Sequence, residues 1–256
     1  MERITSRNNQ MIKDTKKLMT SASERTACKL FVLEGARLCF DVLNSVFQPV
    51  TVLVTDECRE RYPEQTAELI ARSGKAYVIS RDVAEKLSDT GTPQGIFTVC
   101  RMPSVVCPTG DRLLALDRVQ DPANVGTVIR TAEALGIDGI ITYGCCDVYN
   151  PKVLRATMGG VLRMTPYNTD NLITLLQELK ATHRIFATVP DASAGDITTA
   201  DFSSPCVCII GNEANGIEKT VMEAADECVT IRMQGNAESL NAGVAAAITM
   251  WEMVRR

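Results

Sequence analysis

The chain of 256 residues has a single histidine, His183, and none of its ten cysteines forms a C-x-x-C pair. No Cys/His ligand spacing therefore supports a structural zinc site, and no metal is expected. The cysteines lie mostly inside expected strands and helices, where they read as small buried hydrophobes kept reduced. Cys206 and Cys208 alternate along one strand and so share a face of it. His183 closes a helix pattern just before a strand, which suits a surface or C-terminal capping role. No stretch approaches the ~18 consecutive apolar residues of a membrane span. Residues 1–10 are polar and lack the apolar core of a signal peptide. A soluble, cytoplasmic protein is expected.

Strong basic charge is also missing, since the net charge is −4. The distribution is uneven: residues 1–37 hold eight Lys/Arg against four acids, a local +4, which leaves −8 for the remainder. The amino terminus is thus the candidate to face a polyanion. With 45% hydrophobic and 23% charged residues, the chain has material for two domains of roughly 100–150 residues each.

Periodicity predicts α/β organisation throughout. In the first hundred residues helices fit 8–19, 36–47, 63–72 and 82–87, alternating with strands at 30–33, 50–55, 76–79 and 95–100. Residues 102–111, with Pro103, Pro108 and Gly110, interrupt both periods and read as a linker. The boundary gives domains 1–105 and 106–256. Beyond it, strands at 113–116, 139–143, 185–189, 206–210 and 228–233 are interleaved with helices at 125–135, 152–158, 172–181, 218–225 and 240–254. Strands joined by helical crossovers imply a parallel sheet with helices on both faces.

Three segments concentrate glycine and polar residues where strands should end and helices begin: Asn124-Val125-Gly126 to Arg130, Gly211-Asn212-Glu213-Ala214-Asn215-Gly216, and Glu238-Ser239-Leu240-Asn241. Open α/β sheets place their chemistry there, so the three are read as one site. In the first, Asn124 can cap a helix, and Arg130 lies above Gly126 one turn away, leaving room for a ligand or another chain. A plain surface role, with Arg130 paired to Glu133 or Glu213, is the simpler alternative. In the second, Ile217-Glu218 stands where a phosphate loop needs Lys and Ser/Thr, and Glu213 would repel a polyphosphate. The G-x-G-x-x-G fingerprint is missing too, which disfavours a nucleotide-dependent oxidoreductase. An exposed glycine loop remains, suited to a neutral or cationic small molecule. In the third, Ser239 or Asn241 opens the last helix.

The order and spacing of these motifs closely resemble those of the SpoU (TrmH-like) RNA ribose 2'-O-methyltransferases of the SPOUT class, across roughly residues 111–256. Asn150-Pro151-Lys152-Val153-Leu154-Arg155-Ala156-Thr157-Met158-Gly159 looks like the family's connecting segment. Phe31-Val32-Leu33-Glu34-Gly35 and Thr92-Pro93-Gln94-Gly95-Ile96 look like its amino-terminal substrate-binding domain. The resemblance implies a smaller L30e-like α/β domain followed by a parallel-sheet SPOUT domain with a trefoil knot, an exception to the rule against threaded chains. It implies a homodimer, S-adenosylmethionine (SAM) as cofactor, and structured rRNA or tRNA as substrate. By the family's pattern, Gly211, Ile231, Met233, Leu240 and Asn241 would hold the cofactor. Arg130, Asn124, Glu213, Ser239 and Asn241 would carry the reaction at the ribose. A guanidinium is a poor base at neutral pH, so Arg130 is better suited to clamp a phosphate and stabilise a developing alkoxide. The alternative is a non-catalytic RNA-binding or ribosome-assembly protein of the same fold, which titration with SAM would separate.

Overall fold

A computed structural model describes residues 1–255. Contacts divide the chain into two compact units, Met1–Ser104 with Tyr149–Leu162, and Val105–Val148 with the residues from Arg163 onward. The first unit carries β1 (Glu2–Ile4), α1 (Gln10–Thr20), α2 (Ala22–Cys28), β2 (Leu30–Glu34), α3 (Ala36–Asp41), β3 (Pro49–Val54), α4 (Asp56–Arg61), α5 (Pro63–Arg72), β4 (Lys75–Ile79), α6 (Arg81–Leu87) and β5 (Ile96–Arg101). The chain enters the second unit with β6 (Arg112–Asp117), α7 (Pro122–Leu135) and β7 (Gly139–Tyr143), then returns to the first for α8 (Pro151–Ala156). It resumes the second with β8 (Tyr167–Asn168), α9 (Leu172–Leu179), β9 (Arg184–Thr188), β10 (Gly195–Asp196), β11 (Cys206–Ile210), α10 (Lys219–Glu223), β12 (Glu227–Thr230) and α11 (Ala242–Val254).

The first unit's sheet runs β1-β4-β3-β5-β2, with β4 parallel to β1 and β3, and β5 antiparallel to β3 and β2. The second sheet runs β10-β12-β9-β11-β6-β7-β8, and every one of its pairings is parallel. Its central strands explain why. β6 (Arg-Leu-Leu-Ala-Leu-Asp) and β11 (Cys-Val-Cys-Ile-Ile) are buried on both faces, so they read as continuous apolar runs without alternation. Leu113, Ala115, Val207 and Ile209 pack on Leu172 and Leu176 of α9. Successive strand residues point to opposite faces, which gives Leu114 and Leu116 to the other layer, where α7 packs against α11. Each fully buried Leu or Ile contributes about 1.5–3 kcal/mol.

The expected bounds of 63–72, 139–143 and 206–210 coincide with α5, β7 and β11. Several elements were not expected. β8 and β10 have two residues each, too few to carry a period, and β1 is a three-residue edge strand. α2 buries only Arg25, so it has no apolar stripe to read. The helix expected at 152–158 stops at Ala156, because Met158 (φ +51°) and Gly159 (φ +90°) leave the right-handed region.

His183 is a correction. It is buried, not a surface residue, with Nε2 2.9 Å from the Gly110 carbonyl and Nδ1 2.8 Å from the Thr182 hydroxyl, while its backbone N–H donates to the Leu179 carbonyl at the end of α9 (2.8 Å), in keeping with the capping alternative. In the neutral ring the carbonyl requires the proton on Nε2, so Nδ1 accepts. All ten cysteines are free thiols; Cys39, Cys58, Cys100, Cys206 and Cys208 are buried. Burial pushes the Cys39 thiol up to about 12. No described helix is long and apolar enough to cross a membrane.

Candidate active site

The three motif loops leave the carboxyl ends of β6, β11 and β12, on one edge of the parallel sheet. α7 begins differently from the expectation. Asp121, not Asn124, is its N-cap: Oδ1 accepts the Ala123 N–H at 2.8 Å, and Pro122 takes the first helical position, where a missing N–H does no harm. Asn124, one turn in and 5% exposed, is thereby released from capping.

Its side chain joins the three loops instead. Asn124 Nδ2 donates to Glu213 Oε1 at 2.9 Å, and Asn124 Oδ1 accepts from Asn241 Nδ2 at 2.9 Å. Asn241 Oδ1 in turn accepts the N–H groups of Gly243 and Val244, which makes Asn241, and not Ser239, the N-cap of α11. Glu213 also accepts the backbone N–H groups of Gln120 (3.1 Å) and Asp121 (3.0 Å). Desolvation raises the Glu213 carboxyl, but the Asn124 amide and these two N–H groups outweigh it and hold the group below its ordinary value.

The second loop is closed on itself. Asn212 and Gly216 exchange backbone hydrogen bonds, while the Asn212 side chain accepts from Ala214 and Asn215 and donates to the Arg118 carbonyl at 2.7 Å. Gly211 is required there: a Cβ would lie 2.3 Å from both the Gly216 carbonyl carbon and the Ile217 nitrogen. Gly216, at φ +66°, makes the turn.

Beside this loop opens a cleft of about 440 Å³, within the range of roughly 300–1,000 Å³ for small-molecule sites. Of the residues expected to hold a cofactor, Gly211, Ile231, Met233 and Leu240 line it, whereas Asn241 stands behind it as the cap. Glu213 and Ser239 also face it; Asn124 and Arg130 do not. Thr188, Val189 and Pro190, at the carboxyl end of β9, complete one wall. They carry no motif, and only the position of β9 between β12 and β11 could have indicated them. Among the described residues, Glu213 is the one charged residue on the lining.

Arg130 is exposed on α7 and makes no hydrogen bond or ion pair with the described residues. The simpler pairing considered for it is not formed, because Glu133 engages Arg163 at 2.7 Å and Glu213 is taken up by the loop network. α11 presents an apolar stripe: Val244 and Trp251 are 47% and 54% exposed, with Ile248 between them at helical spacing.

Residues 111–251 match the SpoU rRNA Methylase family, and residues 9–98 match the MRM3-like substrate binding domain. A relative in Bacillus subtilis (strain 168), the 23S rRNA (guanosine(2553)-2'-O)-methyltransferase RlmP, is 35% identical over 99% of both chains. The 23S rRNA (uridine(2479)-2'-O)-methyltransferase of Streptomyces viridochromogenes is 29% identical over 99% of this chain and 92% of its own. Among solved structures, the AdoMet-bound rRNA methyltransferase from Sinorhizobium meliloti superposes with a TM-score of 0.87 at 30% identity, covering 99% of this chain and 97% of that one. With its loops, its parallel sheet and most of its length matched, this chain belongs to the SpoU rRNA methylase family.

Proposed function

We propose that the protein is a cytoplasmic, SAM-dependent RNA ribose 2'-O-methyltransferase acting on ribosomal RNA as a homodimer. The single observation that carries the reading is the hydrogen-bonded closure of three distant loops, through Asn124, around one cleft. Relatives of nearly full coverage, named as 23S rRNA 2'-O-methyltransferases, support the substrate class.

The cleft suits the cofactor. Ile231, Met233 and Leu240 offer apolar walls for an adenosyl group, the closed loop after Gly211 offers backbone groups, and the charge that the described residues bring to the lining is negative. A sulfonium cation is compatible with that charge, and a polyphosphate is not. When bound, SAM supplies an electrophilic methyl group. The chain's own residues supply alignment, worth as much as ~7–11 kcal/mol when the reacting atoms are well oriented. Arg130 binds the neighbouring phosphate and stabilises the alkoxide that develops as the ribose hydroxyl gives its proton to water. Because Arg130 lies outside the cleft of its own chain, the Arg130 of a second copy completes the site. The exposed stripe of Val244, Ile248 and Trp251 is the face on which the two copies meet.

The test is transfer of labelled methyl groups from SAM to rRNA purified from cells lacking the protein, followed by mapping of ribose methylation. Incorporation at a ribose 2'-oxygen is expected. A protein that binds SAM but labels no cellular RNA rejects the reading.

A further inference from the structure

Three motifs singled out in the sequence take no part in the cleft of the second unit: residues 31–35, residues 92–96 and the connecting segment 150–159. All three meet in the first unit, around a separate cavity of about 390 Å³. We propose that this cavity is a binding pocket for one unstacked nucleotide of the RNA, with Arg37 at its rim for the phosphate and Arg155 inside for an acceptor on the base.

Three observations lead there. The first is an unmet donor. Arg155 Nη2 donates to Asp89 at 2.9 Å, but Nη1 is buried without a hydrogen-bond partner and stands 3.6 Å from Glu34 Oε2. Glu34 forms an ion pair with it at that distance, just beyond hydrogen-bond length, while its carboxylate accepts from the Ser88 and Thr90 hydroxyls and the Asp89 N–H. A guanidinium nitrogen buried without an acceptor is an expensive arrangement, and it belongs to a side chain that lines the cavity. The second is strain. Met158 holds φ +51°, a conformation that costs a non-glycine residue about 1–2 kcal/mol, and its side chain lines the same cavity. The third is an unspent charge. Arg37 is exposed, lines the rim, and forms no ion pair or hydrogen bond with the described residues.

The remaining lining selects the ligand class. Leu38 and Met158 give an apolar wall for the face of a base. Thr92 and Gln94 place polar groups at its edge; Gln94 Oε1 is held by the Ala36 N–H at 2.7 Å, which leaves its amide N–H₂ to donate. Apolar wall, edge donors and a rim cation together fit a base splayed out of its stack, the form in which single-stranded RNA is read.

That the nucleotide belongs to the methylated RNA rests on the proposed function, and the experiment separates the two. Full-length protein is irradiated with 4-thiouridine-substituted rRNA in the absence of SAM, and crosslinked peptides are identified by mass spectrometry. Methyl transfer is measured in parallel for Arg37→Glu, Arg155→Lys and Lys75→Glu, the last an equal charge reversal at an exposed residue outside the cavity. Crosslinks within 31–38, 88–96 or 151–159 are expected. Arg37→Glu should raise KM for RNA by about tenfold or more, the loss of one charge-assisted contact. Its kcat and SAM affinity should stay within about twofold, and Lys75→Glu should keep the wild-type KM. Arg37 has no partner to lose, so its variant should fold, and an unchanged melting temperature checks this. Crosslinks in these segments from a protein that transfers no methyl group would uphold the pocket while the enzymatic reading falls. Active protein whose crosslinks avoid them, with a wild-type KM in Arg37→Glu and Arg155→Lys, overturns the pocket.

Discussion

Asp117 Oδ2 accepts the backbone N–H of Glu218 at 2.8 Å, joining the end of β6 to the N-terminus of α10 across 101 residues of chain. Asp117 is fully buried, and the Arg118 guanidinium covers its other contacts at 2.9 and 3.3 Å while also reaching Glu218. The loop from Gly211 to Ile217 is therefore held at both ends, by β11 before it and by this carboxylate after it. Asp117→Ala leaves the Glu218 N–H without its acceptor, at a cost of about 1–3 kcal/mol. The midpoint of urea unfolding should fall accordingly and SAM affinity should weaken with it; an unaltered midpoint contradicts the assignment.

Gly211→Ala tests the loop from inside. A Cβ 2.3 Å from two backbone atoms cannot be relieved by a rotamer change, so the Gly216–Ile217 segment must move. Overpacking of this kind costs about 1–3 kcal/mol. Calorimetric titration should show SAM binding weakened by roughly tenfold or more, since 1.4 kcal/mol is a factor of ten.

Glu213 makes loop closure depend on pH. Its carboxyl is held below the ordinary value in the folded protein, so the ionised form contributes stability that is complete above the unfolded-state pKa, about 4.3. That contribution is lost as pH falls through the folded value, below that point. Glu213→Gln places an amide where the Asn124 amide and two backbone N–H groups all donate. The variant should melt lower than wild type at pH 7, and the difference should shrink towards pH 3.5. A constant difference across that range argues against the ionised contact.

Arg130→Ala removes a side chain that makes no hydrogen bond or ion pair with the described residues of its own subunit. The folded state and SAM affinity should be nearly unchanged, while methyl transfer falls by about 10²–10³, the scale for loss of one charge-stabilising group. Single-turnover assays with RNA report it; a large loss of SAM binding contradicts the role.

Trp251, the only tryptophan, reports on pairing of two copies. Half exposed in the single chain, it should become buried as protein concentration rises, with a blue-shifted emission. Val244→Glu should give a monomer by light scattering and abolish transfer. A monomeric wild type that is fully active removes the proposed second copy.

Much of this architecture was legible beforehand because parallel strands announce themselves. The unbroken apolar run 206–210, short and rich in Val and Ile, reads as a strand buried on both faces, and Gly136 marks the end of α7 with φ +69°. The loops could be assigned to one edge for the same reason. What escaped was the partnership of side chains across distance. Asn124 is a good cap by residue type, but Asp121 is an equally good one three residues earlier, and only the approach of Glu213 and Asn241 decides between them. The cavity of the first unit was hidden differently. Arg155 and Met158 follow β7 in the chain but pack with residues of the first unit, from Glu34 and from the segment around Asp89, in the unit where Tyr149 packs on Phe31 at 4.6 Å.

The amide of Asn124 has one donor pair and one acceptor, and neighbours 89 residues ahead and 117 residues ahead claim both sides. No loop of the trio is thus an independent module. Replacing the Asn124 segment by one of different polarity would orphan a hydrogen-bonding atom in each of the other two loops, and replacing either of those would orphan one side of Asn124, so exchange between such enzymes must proceed by swapping the whole ensemble.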